Sequence, residues 1–496
     1  MDASRRTACL PNTRIDTLKF ITDWVNDPRK QQNILWLHGL AGSGKSTLAT
    51  TIANLFGDSG RLGAFLFFDR DVTERSDPSV IVRTLAHQLA GSDPRIGAAI
   101  RAVVDRNSNV IMYPLPHQLR KLVIGPLETF KDTDVDSTPA IVIVLDALDE
   151  CGTADEREAL LAMLANDFAD MPSSFRTIVA SRSENDIYTA FDSRRHILAH
   201  QLDLSSPANS DDILWYFRHH LALVRTRKKH LGLKADWPGE EVLQKLVQRA
   251  SGLFVWASTA SAFIGGHEPR RRLDIILGGQ TASGAQDALD ALYKTALCSI
   301  GLWDDSDFIS DFRAILGIIL VARQPLSSTA IDALLQLPEN RPSIYTISLL
   351  GCVLQQNPTV RVLHPSFGDF LMTAKRCERE MWFFEQSLHH RHLAFRCLDC
   401  MDAVMKQNMC NLTLSIDLAS QTLSEEVAYS SVFWIDHICA IVDDIMPVID
   451  RINVFLFRHL LHWFEAMSIL RRSRDTISVL DDLKDWILVS FSWVTR

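Results

Sequence analysis

The sequence predicts an α/β domain, a parallel sheet with helices on both faces, followed by a long and almost wholly helical remainder. Three observations carry that expectation. Strand-length apolar runs end on chemically loaded residues at 34–37, 141–145 and 176–181. Helical-period segments separate these runs, and strands alternating with helices mean a parallel sheet covered on both sides. Beyond residue 205 period-two alternation nearly vanishes, and apolar residues recur at helical spacing instead.

The first strand is Ile34, Leu35, Trp36 and Leu37, and Leu48, Ile52 and Leu55 follow at helical spacing. Between them residues 39–46 read GLAGSGKS, a complete match to the phosphate-cradling pattern G-x-x-x-x-G-K-[ST] in the strand–loop–helix context it requires. Gly39, Gly42 and Gly44 let the backbone bend so that its N–H groups point at phosphate oxygens beside a helix N-terminus. Lys45 adds a point charge for the β- and γ-phosphates, and the Ser46 hydroxyl is placed to hold Mg²⁺. The expected cradle is Gly39, Leu40, Ala41, Gly42, Ser43, Gly44, Lys45, Ser46 and Thr47, and the expected cofactors are ATP or ADP with Mg²⁺.

The run Ile141, Val142, Ile143, Val144, Leu145 has the unbroken apolarity of a buried parallel strand and ends on Asp146, Asp149 and Glu150. Carboxylates there face the ligand crevice. Asp146 is expected at the Mg²⁺, and Glu150, with Asp149 as competitor, is expected to orient the attacking water. A solvated helix N-terminus would also favour these acids. The strand at 176–181 ends on Arg182, which could sense the γ-phosphate or pair with Glu184. A further strand is expected at 64–68, helices around 77–90, 94–106 and 115–130, and a last strand near 196–204.

These segments resemble a known family. The runs CLPNTRIDTLKFITDW from Cys9, GLAGSGKS, GAFLFFDRD from Gly63, VLDALDECG from Val144, TIVASRSE from Thr177, SGLFVWAS from Ser251 and LHPSFGDFL from Leu363 are similar to the NACHT modules of fungal STAND proteins, P-loop NTPases whose nucleotide-binding half resembles the nephrocystin-3-like N-terminal domain. Ala147 directly after Asp146, with the acidic pair two positions on, is the feature that points there. The resemblance implies a cytoplasmic switch, closed with ADP and self-associating with ATP, that hydrolyses ATP slowly and serves NLR-like defence or self/non-self recognition. It also implies that His364 reaches the ADP β-phosphate, although Pro365 stands where the family carries an acidic residue. A satisfied core histidine is the alternative. Leu10, Thr13 and Arg14 fall where the family has an adenine-side lid, and an N-terminal cap turn explains the same residues.

The expected organisation is a flanking segment (1–30), the P-loop NTPase domain (31–204), a helical domain (205–303), a winged-helix-like domain (304–375) and a C-terminal all-α region (376–496). Residues 205–208 read as a linker with Ser210 as helix cap, and Ile213, Leu214, Phe217, Leu221 and Val224 as one buried stripe. Residues 312–370 hold three helical runs, a turn at Pro325 and a short strand at 359–363, an order that suits a winged helix. Neither a C-terminal repeat sensor nor an N-terminal effector domain is recognisable, so trigger and effector are unknown proteins.

With 496 residues, 47% apolar and 22% charged, the chain has the composition of a multidomain globular protein, and its formal charge of −9 disfavours nucleic acid as a partner. Nine cysteines without a short framework read as reduced, buried thiols. No secretory signal is expected, and residues 250–266 fall short of the roughly 20 apolar residues a membrane span needs. His389, His392, Cys397 and Cys400 share a helical stripe, but residues 389 and 400 of a straight helix stand about 16 Å apart, too far for one zinc ion. The basic clusters at Arg225, Arg227, Lys228, Lys229 and at Arg270, Arg271, Arg272 read as solvated faces. Two alternatives to the ATPase switch stand: a non-catalytic nucleotide-binding scaffold, and a small-molecule P-loop kinase, whose chains are usually shorter.

Overall fold

The computed structural model describes residues 6–128, 139–279, 284–378, 380–409 and 423–494, which fall into two compact units that meet between Ala291 and Leu292. The first unit is built on five strands, β1 (Ile34–His38), β2 (Leu62–Phe67), β3 (Ile141–Asp146), β4 (Phe175–Ser181) and β5 (Ile197–Gln201), all parallel, in the order β2-β3-β4-β1-β5. One strand, β4, therefore separates the two strands that end on the loop and on the acids, and both β1 and β3 hydrogen-bond to it.

Burial on both faces explains the apolar strands. Leu35 and Leu37 of β1, with Val142 and Val144 of β3, face α1 (Ile15–Asn26) and α2 (Lys45–Asp58), where Ile21, Trp24, Leu48, Ile52 and Phe56 close one core. Ile34, Trp36, Ile143 and Leu145 point the other way, into a core with Ile81, Leu85 and Leu89 of the helix Ile81–Ser92 and Leu160, Leu161 and Leu164 of Ala154–Asn166. Neighbouring residues thus serve opposite layers, as the pleat dictates. The α2 stripe runs Leu48, Ile52, Phe56. Leu55, expected on it, is exposed, because 100° per residue carries position 55 past the sheet-facing side while position 56 returns to it.

A helical group continues the same unit: Pro207–Arg227, Glu240–Ala250, Phe254–Ile264 and Pro269–Gly278. Its first cap differs from expectation. The helix starts at Pro207, and Ser206, not Ser210, accepts the Asn209 N–H at 3.2 Å. Proline at the first helical position has no N–H to satisfy, which fixes the start four residues early. Ile213, Phe217 and Leu221 are buried, whereas Leu214 and Val224 are half-buried at the edge of the stripe.

The second unit contains the helices Ser306–Val321, Ser328–Leu335 and Ser343–Leu349, an antiparallel ribbon of β6 (Leu354–Gln355) and β7 (Arg361–Val362), and the helix Pro365–Met372. The helices Gln386–Val404, Glu425–Cys439, Met446–Ile469 and Asp475–Val494 follow. Trp434 packs there between Phe455 and Trp463, ring centroids 5.1 and 5.9 Å away. Helix Gln386–Val404 runs unbroken through His389, His392, Cys397 and Cys400. Not every thiol is buried, since Cys298 is exposed and Cys9 half-buried, while Cys410 lies outside the described residues. Among the described residues no helix is long and apolar enough to cross a membrane.

Candidate nucleotide site

The loop leaves β1 at His38 and enters α2 at Lys45, with Gly42 and Gly44 at φ +78° and +93°, values that side chains rarely adopt. Their left-handed turns lead the loop into the N-terminus of α2, whose first-turn N–H groups can meet an anion. Ser43 is fully buried, and its hydroxyl has no hydrogen-bond partner. Leu40 is exposed at the tip, Ala41 half-buried beside it, and Thr47 half-buried in the first turn of α2.

Lys45 is buried, and its ammonium donates to the carbonyls of Gly39 and Leu40 at 2.8 and 2.9 Å. Burial pushes it down to about 8, against the pull of Asp149. A triphosphate in the loop would raise it again. The Ser46 hydroxyl donates to one oxygen of Asp146 at 3.1 Å, and the Arg6 guanidinium takes the other. Asp146 is fully buried; burial raises its carboxyl, and Arg6 and then Ser46 pull it back down. Hard oxygen donors from Ser46 and Asp146 on one edge suit Mg²⁺.

After Asp146 the chain turns through Ala147 at φ +58°, ψ +43°, and a short turn, Leu148–Glu150, closes with Glu150 N–H donating to the Ala147 carbonyl at 2.8 Å. Any side chain with a Cβ pays about 1–2 kcal/mol for that left-handed conformation, and the turn sets Asp149 and Glu150 apart from Asp146. Asp149 is held by Arg182, which donates its backbone N–H at 2.9 Å and its guanidinium Nε at 3.1 Å. The contact with Asp149 clamps the ends of β3 and β4 together. Glu150 is half-buried, and burial raises its carboxyl to about 8, opposed chiefly by Arg70.

A second layer of contacts covers the loop. Arg14, itself buried at φ +59°, donates to the Ser43 carbonyl at 2.6 Å, lies 4.8 Å over the Phe254 ring, and receives Asp212 on its backbone N–H at 3.0 Å. Val255 donates its N–H to the Gly42 carbonyl at 3.1 Å. The N-terminal segment and the start of helix Phe254–Ile264 therefore both grip the phosphate loop. Sequence reasoning did not single out Arg6, Arg70, Asp212 or Val255. Phe254 and Val255 lie in the quoted run SGLFVWAS, where Gly252 at φ +81° marks a tight turn.

His364 belongs to the second unit. It caps helix Pro365–Met372, where Nδ1 accepts the Ser366 N–H at 3.1 Å and stands 2.7 Å from the Ser366 hydroxyl, which in turn bonds Tyr293 at 2.8 Å.

This geometry coincides with a sequence match. Residues 16–182 match the family model described as Nephrocystin 3, N-terminal. The matched span holds the phosphate-cradling loop and four of the five parallel strands, β1 to β4. A search of curated proteins finds no match. Among solved structures the chain is similar to a signal transduction ATPase with numerous domains (STAND) carrying a tetratricopeptide repeat sensor from Pyrococcus horikoshii, at 12% identity and TM-score 0.43, covering 98% of this chain and 59% of that one. It is also similar to Cdc6p from Pyrobaculum aerophilum, at 11% identity and TM-score 0.33, covering 79% and 98%. A third is the Drosophila ORC bound to poly(dA/dT) DNA and Cdc6, at 11% identity and TM-score 0.27, covering 95% and 69%. The chain spans less than two thirds of the length of the Pyrococcus protein.

Proposed function

We propose that the chain is a nucleotide-controlled switch that binds ATP and ADP with Mg²⁺, hydrolyses ATP slowly, and changes conformation and self-association with the nucleotide it holds. The observation that carries this reading is the convergence on one crevice of Lys45, Ser46, Asp146, Asp149, Glu150 and Arg182 from the ends of three neighbouring strands.

The loop amides at 42–46 and the Lys45 ammonium take the β- and γ-phosphates. Ser46 and Asp146 would hold Mg²⁺, which supplies neutralisation of phosphate charge when bound. Glu150 accepts the proton of the attacking water. Burial raises its carboxyl to about 8, toward the operating pH, which suits a proton acceptor. Arg182 divides its guanidinium between Asp149 and a γ-phosphate, so loss of that phosphate returns it fully to the clamp. Arg14 with Phe254 offers a cationic and aromatic platform beside the loop for the nucleoside end. His364 is assigned the ADP contact that the family resemblance implies. Defence or self/non-self recognition is the corresponding biological role, in the cytoplasm, with an unidentified protein trigger.

Two variants test the reading. Lys45→Ala should abolish retention of ATP and ADP on a desalting column, whereas Glu150→Gln should retain ATP and lose about 10²- to 10⁴-fold in single-turnover hydrolysis. Equal hydrolysis by Glu150→Gln and the parent would remove Glu150 from its role. Absence of hydrolysis in the parent would favour the non-catalytic scaffold.

A further inference from the structure

Asp146 is a fully buried carboxyl, and keeping it ionised needs a cation. In this structure the cation is Arg6. Its guanidinium pairs with Asp146, stands 4.1 Å over the Phe67 ring, and reaches the Phe68 carbonyl at 3.5 Å, so it fills the space beyond the ends of β2 and β3. The Ser46 hydroxyl sits on the neighbouring oxygen of the same carboxylate. Mg²⁺ at Ser46 and Asp146 would bind at about 2.0–2.1 Å and bring a second positive charge onto a buried carboxylate that the Arg6 guanidinium already neutralises, so the two cations repel each other there.

We propose that Arg6 is a built-in competitor of the divalent metal: the segment ahead of α1 docks Arg6 on Asp146 when no metal is held, and Mg²⁺–nucleotide expels it. The proposal rests on the nucleotide-switch reading and adds how metal loading is read out by the rest of the chain. Expulsion is local. Cys9 donates its backbone N–H to Thr51 of α2 at 2.8 Å, and Arg14 holds the Ser43 carbonyl, so residues 9–14 stay anchored while Arg6 swings. The arm thus has two positions, distinguished by which cation neutralises Asp146, and the metal biases it by differential binding.

The test uses the full chain with N-methylanthraniloyl-ADP. The Mg²⁺ concentration giving half-maximal nucleotide retention should fall about tenfold in Arg6→Ala, and by less in Arg6→Lys, whose point charge cannot span both the carboxylate and the Phe68 carbonyl. A second readout needs no variant. Trypsin must take an arginine side chain into its own pocket, so cleavage between Arg6 and Thr7, identified by sequencing the new N-terminus, should be slow with EDTA and several-fold faster with Mg²⁺–ADP. An unchanged Mg²⁺ midpoint in Arg6→Ala, or a cleavage rate indifferent to Mg²⁺–ADP, overturns the proposal while leaving the nucleotide switch standing. A parent protein that retains no nucleotide at any Mg²⁺ concentration overturns both.

Discussion

At the scale of single residues the site is a set of charges whose burial sets their chemistry. Glu150 shows this most simply. Burial holds its carboxyl near 8, above the ordinary glutamate value, so the folded chain prefers the protonated form. Below about pH 4.5 the group is neutral in both folded and unfolded chains and its full contribution to stability is present. As pH rises the unfolded carboxyl ionises first, and the contribution is lost progressively until the folded group ionises near 8. Glu150→Gln, permanently neutral, should therefore raise the melting temperature of the nucleotide-free protein at pH 7–8 and leave it unchanged at pH 4. Equal melting temperatures at pH 8 would show that solvent reaches Glu150 in the folded chain. Asp149 faces the Arg182 guanidinium and Asp146 the Arg6 guanidinium.

At the scale of elements, strand, loop and helix were legible wherever the determining contacts are local. The glycine spacing of residues 39–46 and the apolar run ahead of Asp146 each specify their backbone through near neighbours, so the cradle and the acidic turn were readable from sequence. Partners brought in from a distance were not. Arg6 meets Asp146 across 140 residues, and Val255 meets Gly42 across more than 200, with no sequence pattern linking either pair. The second contact has its own consequence. A Cβ on Gly42 would run into Val255, 2.7 Å from its Cβ, and φ +78° would add about 1–2 kcal/mol of backbone strain. Gly42→Ala should thus destabilise the nucleotide-free protein by about 2–4 kcal/mol in denaturant titration. Val255→Ala added to it should recover only part of the steric cost, because the alanine keeps the Cβ 2.7 Å away, and should leave the strain. Additive effects of the two substitutions would mean that the start of helix Phe254–Ile264 does not bear on the loop.

At the scale of the whole molecule, the proposed switch needs a coupling between nucleotide and assembly. Moving a population from 1:99 to 99:1 takes about 5.5 kcal/mol of differential interaction. One hydrogen bond to a charged group contributes ~1.5–3 kcal/mol, so a single His364 contact with ADP falls short, and packing that differs between the ADP and ATP forms must supply the remainder. His364 also has a second task, capping its helix through Nδ1. Replacing it by alanine removes both tasks, at about 1 kcal/mol for the cap. Asparagine keeps a cap oxygen but lacks the far ring nitrogen, so it separates them. If His364 contacts ADP, His364→Asn should melt like the parent yet release ADP about tenfold faster, matching His364→Ala in off-rate only. Because that contact would supply only part of the coupling the proposed switch needs, Glu150→Gln loaded with ATP should still form larger species by light scattering than the ADP-loaded parent, with or without His364. An ATP-loaded Glu150→Gln protein with the mass of the ADP-loaded parent would refute nucleotide-driven self-association, and parental ADP off-rates in both His364 variants would confine His364 to its helix cap.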